Sequence, residues 1–166
     1  NGLMQQQSLL ISTLLTHAER HHGDQEVVSR RVEGDIHRQT YRDLGQRARR
    51  LANALASLGV SFGDRVATLA WNGYRHMELY YAVSGSGAVL HTLNPRLHAD
   101  QVKWIANHAA DSVLFFDLTF LPLVGAGLIL LARLFNKAGA DGAARWIALL
   151  TTVVTLGVSA VLVATF

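Results

Sequence analysis

The sequence predicts an α/β fold: an incomplete parallel βαβαβ unit preceded by a helix and a β-hairpin, and followed by a two-helix transmembrane hairpin. Three observations carry that prediction. From Asp64 onward, short apolar runs alternate with helical stretches at 74–84 and 99–109, the rhythm of parallel strands joined by crossovers. Upstream, two β-forming runs flank Glu33-Gly34-Asp35, a hairpin signal. Downstream of Asp117 charge nearly vanishes: residues 118–166 hold Arg133, Lys137, Asp141 and Arg145, against 12 basic and 11 acidic residues before them. The chain is therefore read as two bodies, 1–117 and 118–166.

Composition narrows the function classes. With 166 residues the chain has room for one domain and little more. It contains no cysteine, which excludes a disulfide scaffold, a thiolate zinc site, an iron–sulfur cluster and a cysteine nucleophile. The net charge of +3 follows no basic tract, so nucleic acid is not an expected partner. Half the residues are apolar, which argues against disorder. A natural start is expected at Met4, and a signal peptide is not expected, since no charged stretch followed by an apolar one is read here.

Taken in order, residues 9–20 form an amphipathic helix with Leu10, Leu14, Leu15 and Ala18 on one face. Gly23-Asp24 breaks it. Residues 26–32 and 36–41 make the hairpin. Thr40-Tyr41-Arg42-Asp43 is a helix start, its threonine placed to cap free amides. Leu44, Ala48, Leu51, Leu55 and Leu58 then mark one apolar stripe, closed by Gly59 as a left-handed cap. Strands follow at 66–71, 88–93 and 113–116, with Asn94-Pro95 ending the second. A parallel sheet needs both faces covered, and two crossover helices are too few.

These residues resemble a known family. Thr40-Tyr41-Arg42-Asp43-Leu44, the run Ala48 to Leu55, Gly63-Asp64-Arg65-Val66-Ala67, and Gly87-Ala88-Val89-Leu90-His91-Thr92-Leu93-Asn94-Pro95 look like the opening of AMP-forming acyl-CoA synthetases. Trp71-Asn72-Gly73-Tyr74-Arg75-His76 is most similar to the fatty-acyl-CoA ligase branch. The resemblance covers 4–117. It implies activation of a carboxylic acid by ATP to an acyl-adenylate and transfer to coenzyme A, with magnesium. The family's phosphate loop ending in Pro-Lys-Gly, its later ribose-binding acidic residue and its catalytic lysine have no counterpart in these residues. No catalytic, cofactor-binding or metal residue is therefore assigned. This chain is expected to bind none of ATP, magnesium or coenzyme A, and to form no acyl-CoA.

The apolar part carries a second resemblance. Leu118-Thr119-Phe120-Leu121-Pro122-Leu123-Val124-Gly125-Ala126 and Ala144-Arg145-Trp146-Ile147-Ala148-Leu149 look like the N-terminus of chain M of the proton-pumping NADH–quinone oxidoreductase. Residues 118–132 and 146–166 are free of charge, and the second stretch is long enough to cross a ~30 Å hydrocarbon core. A buried helix in a water-soluble core is the alternative for each. Arg133 is expected to snorkel rather than relay protons. Arg133, Lys137 and Arg145 place the intervening turn in the cytoplasm, which would put an unexported ligase fragment outside. With no polar linker between the bodies, a chimera joined within 118–124 is expected. Membrane localisation, a full-length synthetase partner or respiratory-complex subunits follow if the fusion is real; the parent synthetase is expected in the cytoplasm.

Smaller signals offer candidate sites. His17 and His21 have i,i+4 spacing on a helix, but there is no third ligand and His21-His22 abuts a Gly turn, so surface histidines are expected. Gly85-Ser86-Gly87 sits at a helix end rather than a helix start and reads as a cap. Arg47, Arg49 and Arg50 read as a solvated face, without the interleaved aromatics of a nucleic-acid surface. Ser84 and Ser86 lack a partnered histidine. Trp71 and His76 stand at the carboxyl end of the first parallel strand, where α/β sheets place ligands; ordinary packing is the competing reading.

Overall fold

In the computed structural model, residues 8–124 are described. The order of elements is α1 (Ile11–His22), β1 (Glu26–Arg30), β2 (Ile36–Thr40), α2 (Tyr41–Ser57), β3 (Arg65–Leu69), α3 (Tyr74–Gly85), β4 (Val89–Thr92), α4 (Ala99–Ala109), β5 (Val113–Phe116) and a 3-10 turn, Leu118–Phe120. β1 and β2 pair antiparallel, with Val28 opposite Arg38 at the centre of the register. The other three strands form a parallel sheet in the order β4-β3-β5. The first crossover therefore leads to the adjacent strand, and the second passes beyond β3 to its other side.

The chain divides into two compact units: Asn1–Val66 with Asn72–Leu90, and Ala67–Trp71 with His91–Phe166. In the first, α1, α2 and α3 bury Leu15, Leu44, Ala48, Leu55, Leu79, Ala82 and Val83. In the second, Ala67, Leu69, Leu93, Val102 and Phe120 form the core, with Ile105, Phe116, Leu123 and Val124 packed against it. Val66 to Leu69 are buried without a break, as a central parallel strand with both faces covered requires.

Local chemistry explains the boundaries. Thr40 forms a full capping box: its Oγ1 accepts the Asp43 amide, and the Asp43 carboxylate accepts the Thr40 amide. β2 thus passes directly into α2 and ends one residue earlier than its composition suggests. α2 closes at Leu58, followed by Gly59 at φ +87°, the left-handed cap expected there. α1 begins two residues late, with Leu9 and Leu10 exposed, and runs on through His21 and His22 at its carbonyl end, where basic side chains are favoured. β3 stops at Leu69 because the next residues turn toward Gly73, the N-cap of α3. Leu58, counted in the apolar stripe, is 71% exposed; the helix ends there, so the stripe has nothing left to pack against.

Of the transmembrane hairpin expected at 118–166, only residues 118–124 are described. They form the 3-10 turn and then four helical residues, and Phe120 is buried. The rest lies outside the described residues. Among the described residues no helix is long and apolar enough to cross a membrane.

Candidate functional site

Two places have the makings of a site, one in each unit. In the first unit, a cavity of about 500 Å³ is lined by Val27–Arg30 of β1, by Asn72 and Gly73, and by Tyr74, His76, Met77 and Tyr80 of α3. The hairpin is fastened to α3 beside it: the Tyr74 amide donates to Ser29 Oγ at 3.1 Å, and the His37 ring stacks on the buried Tyr74 ring at 3.7 Å. Arg75 grips Glu33 with two hydrogen bonds, and its guanidinium holds that carboxyl below the usual glutamate range. His76, only 6% exposed, lies in the cavity wall with its ring 5.0 Å from that of Tyr80.

In the second unit, the switch point between β3 and β5 is closed rather than open. Asp117 follows β5, and its carboxylate accepts the Trp71 amide at 2.8 Å. The Asp117 amide donates to the Leu69 carbonyl at 3.1 Å, and the Trp71 ring leans on Phe120 at 5.2 Å. Asp117 therefore ties the two strand ends together, a structural job. Trp71 and His76, paired by sequence proximity, are thus engaged in different local settings: Trp71 at a tied strand end, His76 in a cavity wall.

The remaining sequence candidates resolve into structural roles. Arg47, Arg49 and Arg50 are exposed on α2, the solvated face expected, and two of them also take carboxylate partners. Arg47 chelates Glu78 at 2.5 and 3.1 Å, and Arg49 chelates Glu19 at 2.7 and 2.8 Å. α2 packs on both α1 and α3, so carboxylates from either neighbour reach its arginines. The guanidinium of Arg49 holds Glu19 below the usual glutamate range. Ser86 caps α3, its hydroxyl donating to the Val83 carbonyl at 2.9 Å, and Gly87 follows at φ +84°. The His17 and His21 rings lie tilted with centroids 4.5 Å apart, and among the described residues no group of three or more ligand-type side chains could hold a metal.

Sequence reasoning missed three features. His91 on β4 lies 2.9 Å from both oxygens of the nearly buried Asp111 carboxylate. His98 caps α4, accepting the Asp100 amide, while Gln101 accepts the His98 amide. The Asp117 bond to Trp71 spans 46 residues. Only the second had a local signal, a polar residue three places before Gln101; the others depend on sheet order.

With this geometry in hand, comparison with known proteins is informative. The chain matches the AMP-binding enzyme family over residues 14–156. It belongs to that family. It is 53% identical over 125 residues to a 3-methylmercaptopropionyl-CoA ligase of Ruegeria lacuscaerulensis, covering 75% of this chain and 23% of that protein. A long-chain-fatty-acid–CoA ligase of Thermus thermophilus is 52% identical over 123 residues, covering 74% of this chain and 23% of that one. Among solved structures, a fatty acyl CoA synthetase of Mycobacterium tuberculosis superposes with a TM-score of 0.60 at 27% identity, covering 70% of this chain and 23% of that one. The chain thus spans about a quarter of the length of these AMP-binding relatives.

Proposed function

We propose that the chain is the N-terminal piece of an ATP-dependent, AMP-forming fatty-acyl-CoA ligase, and that these 166 residues do not catalyse by themselves. The observation that carries the reading is the 53% identity to an acyl-CoA ligase over 125 residues, on a chain that has the parallel sheet expected of a βαβαβ unit. The whole enzyme joins an acid to coenzyme A through an acyl-adenylate, with ATP and magnesium. Neutralising the polyphosphate needs preorganised donors and cations, and these residues contain no Gly-rich loop followed by lysine. A graft tests the ligase reading. Residues 8–124 replace the corresponding segment of the Ruegeria ligase; a folded graft that keeps acyl-CoA formation supports it, and a folded graft without activity refutes it.

A second reading rests on the charge break after Asp117. Residues 118–166 are a membrane segment from another protein, similar to chain M of a respiratory proton pump, joined within 118–124. The family match crosses that join, reaching residue 156, and weighs for one continuous parent. A single long DNA read across the codons for 117–125 separates the two. Unbroken reads establish a genuine gene, while reads diverging into two genes establish a misjoin. If the gene is genuine, membrane anchorage predicts resistance to carbonate extraction; release into the supernatant removes the anchor and the membrane-held adaptor alike.

A further inference from the structure

We propose that Asn72-Gly73, just ahead of α3, is a site of spontaneous deamidation, by which a neutral side chain in the wall of the cavity beside β1 becomes a carboxylate. The chemistry is intramolecular. The Gly73 nitrogen gives its proton to a solvent base and attacks Cγ of the Asn72 side chain. A bond forms between them, the bond from Cγ to Nδ2 breaks, and ammonia leaves. Water then opens the cyclic imide at one of its two carbonyl carbons, and the nitrogen regains a proton as its bond to that carbon breaks. Opening at Cγ gives aspartate; opening at the main-chain carbon gives isoaspartate.

Three observations carry the assignment. Among the described residues, neither the Asn72 carboxamide nor the Gly73 N–H takes part in a hydrogen bond, so the attacked and attacking groups have no partner to lose. Asn72 is exposed and lies outside helix and strand, between the end of β3 at Leu69 and the start of α3 at Tyr74, where water reaches it and no ladder of bonds holds the backbone. Gly73 carries no β-carbon to crowd its nitrogen. The other asparagines of the described residues lack this combination. Asn53 and Asn107 sit inside α2 and α4, where helical bonding engages the following amides. Asn94 precedes Pro95, which has no N–H to give up.

The consequence is local. No aspartate or glutamate lines the cavity that Asn72 shares with Ser29, His76 and Tyr80, so the product is the first carboxylate in its wall. The free amides of the first turn of α3 favour an anion just before them, and the aspartate form keeps the fold. The isoaspartate form lengthens the main chain ahead of Tyr74, whose amide donates to Ser29 Oγ at 3.1 Å, and loosens that clasp.

The test follows the full chain as it ages. Folded protein is held in mildly alkaline buffer at physiological temperature and cut with trypsin at intervals, with an unaged sample as the blank. The peptide of residues 66–75, between Arg65 and Arg75, is then weighed; the other Asn-Gly pair, Asn1-Gly2, falls in the separate peptide 1–20. Peptide 66–75 is expected to gain the mass of an amide-to-acid change before the peptides carrying Asn53 and Asn107 do. It is expected to give two new chromatographic forms, one matching the same peptide from Asn72→Asp. Gly73→Ala decides the mechanism. A β-carbon there meets only Ser29 Oγ, at an ordinary 3.5 Å, and φ −152° is extended backbone, so the variant folds as the parent does. Its conversion is expected to be about tenfold slower, the effect of a modest rise in the barrier. A folded chain whose peptide 66–75 keeps its mass, conversion seen only after unfolding in urea, or a folded Gly73→Ala chain that converts as fast as the parent would each overturn the assignment.

Discussion

Gly59 and Gly87 both hold left-handed backbone, at φ +87° and +84°, yet their surroundings differ. A β-carbon at Gly59 meets nothing within 4 Å, whereas one at Gly87 stands 2.6 Å from the Phe62 ring. Gly59→Ala should therefore cost only the backbone term, about 1 kcal/mol. Gly87→Ala adds a ring clash and should cost about 2–3 kcal/mol. Urea unfolding of the two variants checks the order; equal losses would mean that Phe62, 89% exposed, simply moves aside. Arg47 gives a second contrast at this scale. Its partner Glu78 is 6% exposed while Arg47 is half out in solvent. Arg47→Ala strands a nearly buried carboxylate and should cost about 2 kcal/mol, below the figure for a fully buried pair. Arg47→Met combined with Glu78→Leu should recover most of it in the same unfolding assay. A double variant less stable than the single one contradicts this account of the pair.

Between elements, carboxylate–arginine clasps do the fastening in the first unit: Glu19–Arg49 joins α1 to α2, and Glu33–Arg75 joins the hairpin turn to α3. Both glutamates ionise more readily than usual because of the arginine each accepts from. A carboxyl with a lowered folded-state pKa contributes stability above the ordinary glutamate range and loses it as pH falls through the folded value. The melting temperature should therefore drop on acidification below the ordinary glutamate range, and Glu19→Gln with Glu33→Gln should flatten that drop while lowering stability at pH 7. An unchanged acid limb would place the acid sensitivity in other groups. Elements with a local cause were legible from sequence: the Thr40–Asp43 capping box, the Gly59 cap, and α4 and β5 at their observed bounds. The clasps were not, because their partners lie 30, 31 and 42 residues apart and become neighbours only once the helices pack. For the same reason Trp71 and His76 looked like one site. They are five residues apart in sequence, but a strand end and a helix first turn direct them to different surroundings.

At the scale of the whole molecule, we propose that a chain with this ligase-like opening has no turnover of its own. β4-β3-β5 is a three-stranded sheet, and its switch point is held by the Asp117 carboxylate on the Trp71 amide. Nothing among the described residues supplies a metal site, and the 166 residues carry no phosphate loop. Family membership was legible in the motifs from Thr40 to Pro95 because their spacing reflects caps and turns that the fold requires. The cavity beside β1 was not, because it arises where a strand meets a helix start, as Ser29 meets Tyr74 45 residues away. The central claim, a ligase piece without its own chemistry, is tested most directly by acid-dependent exchange of labelled pyrophosphate into ATP. The purified full chain is assayed with magnesium and with medium- and long-chain fatty acids. No exchange above the acid-free blank is predicted; saturable, acid-dependent exchange that scales with the amount of chain would contradict it.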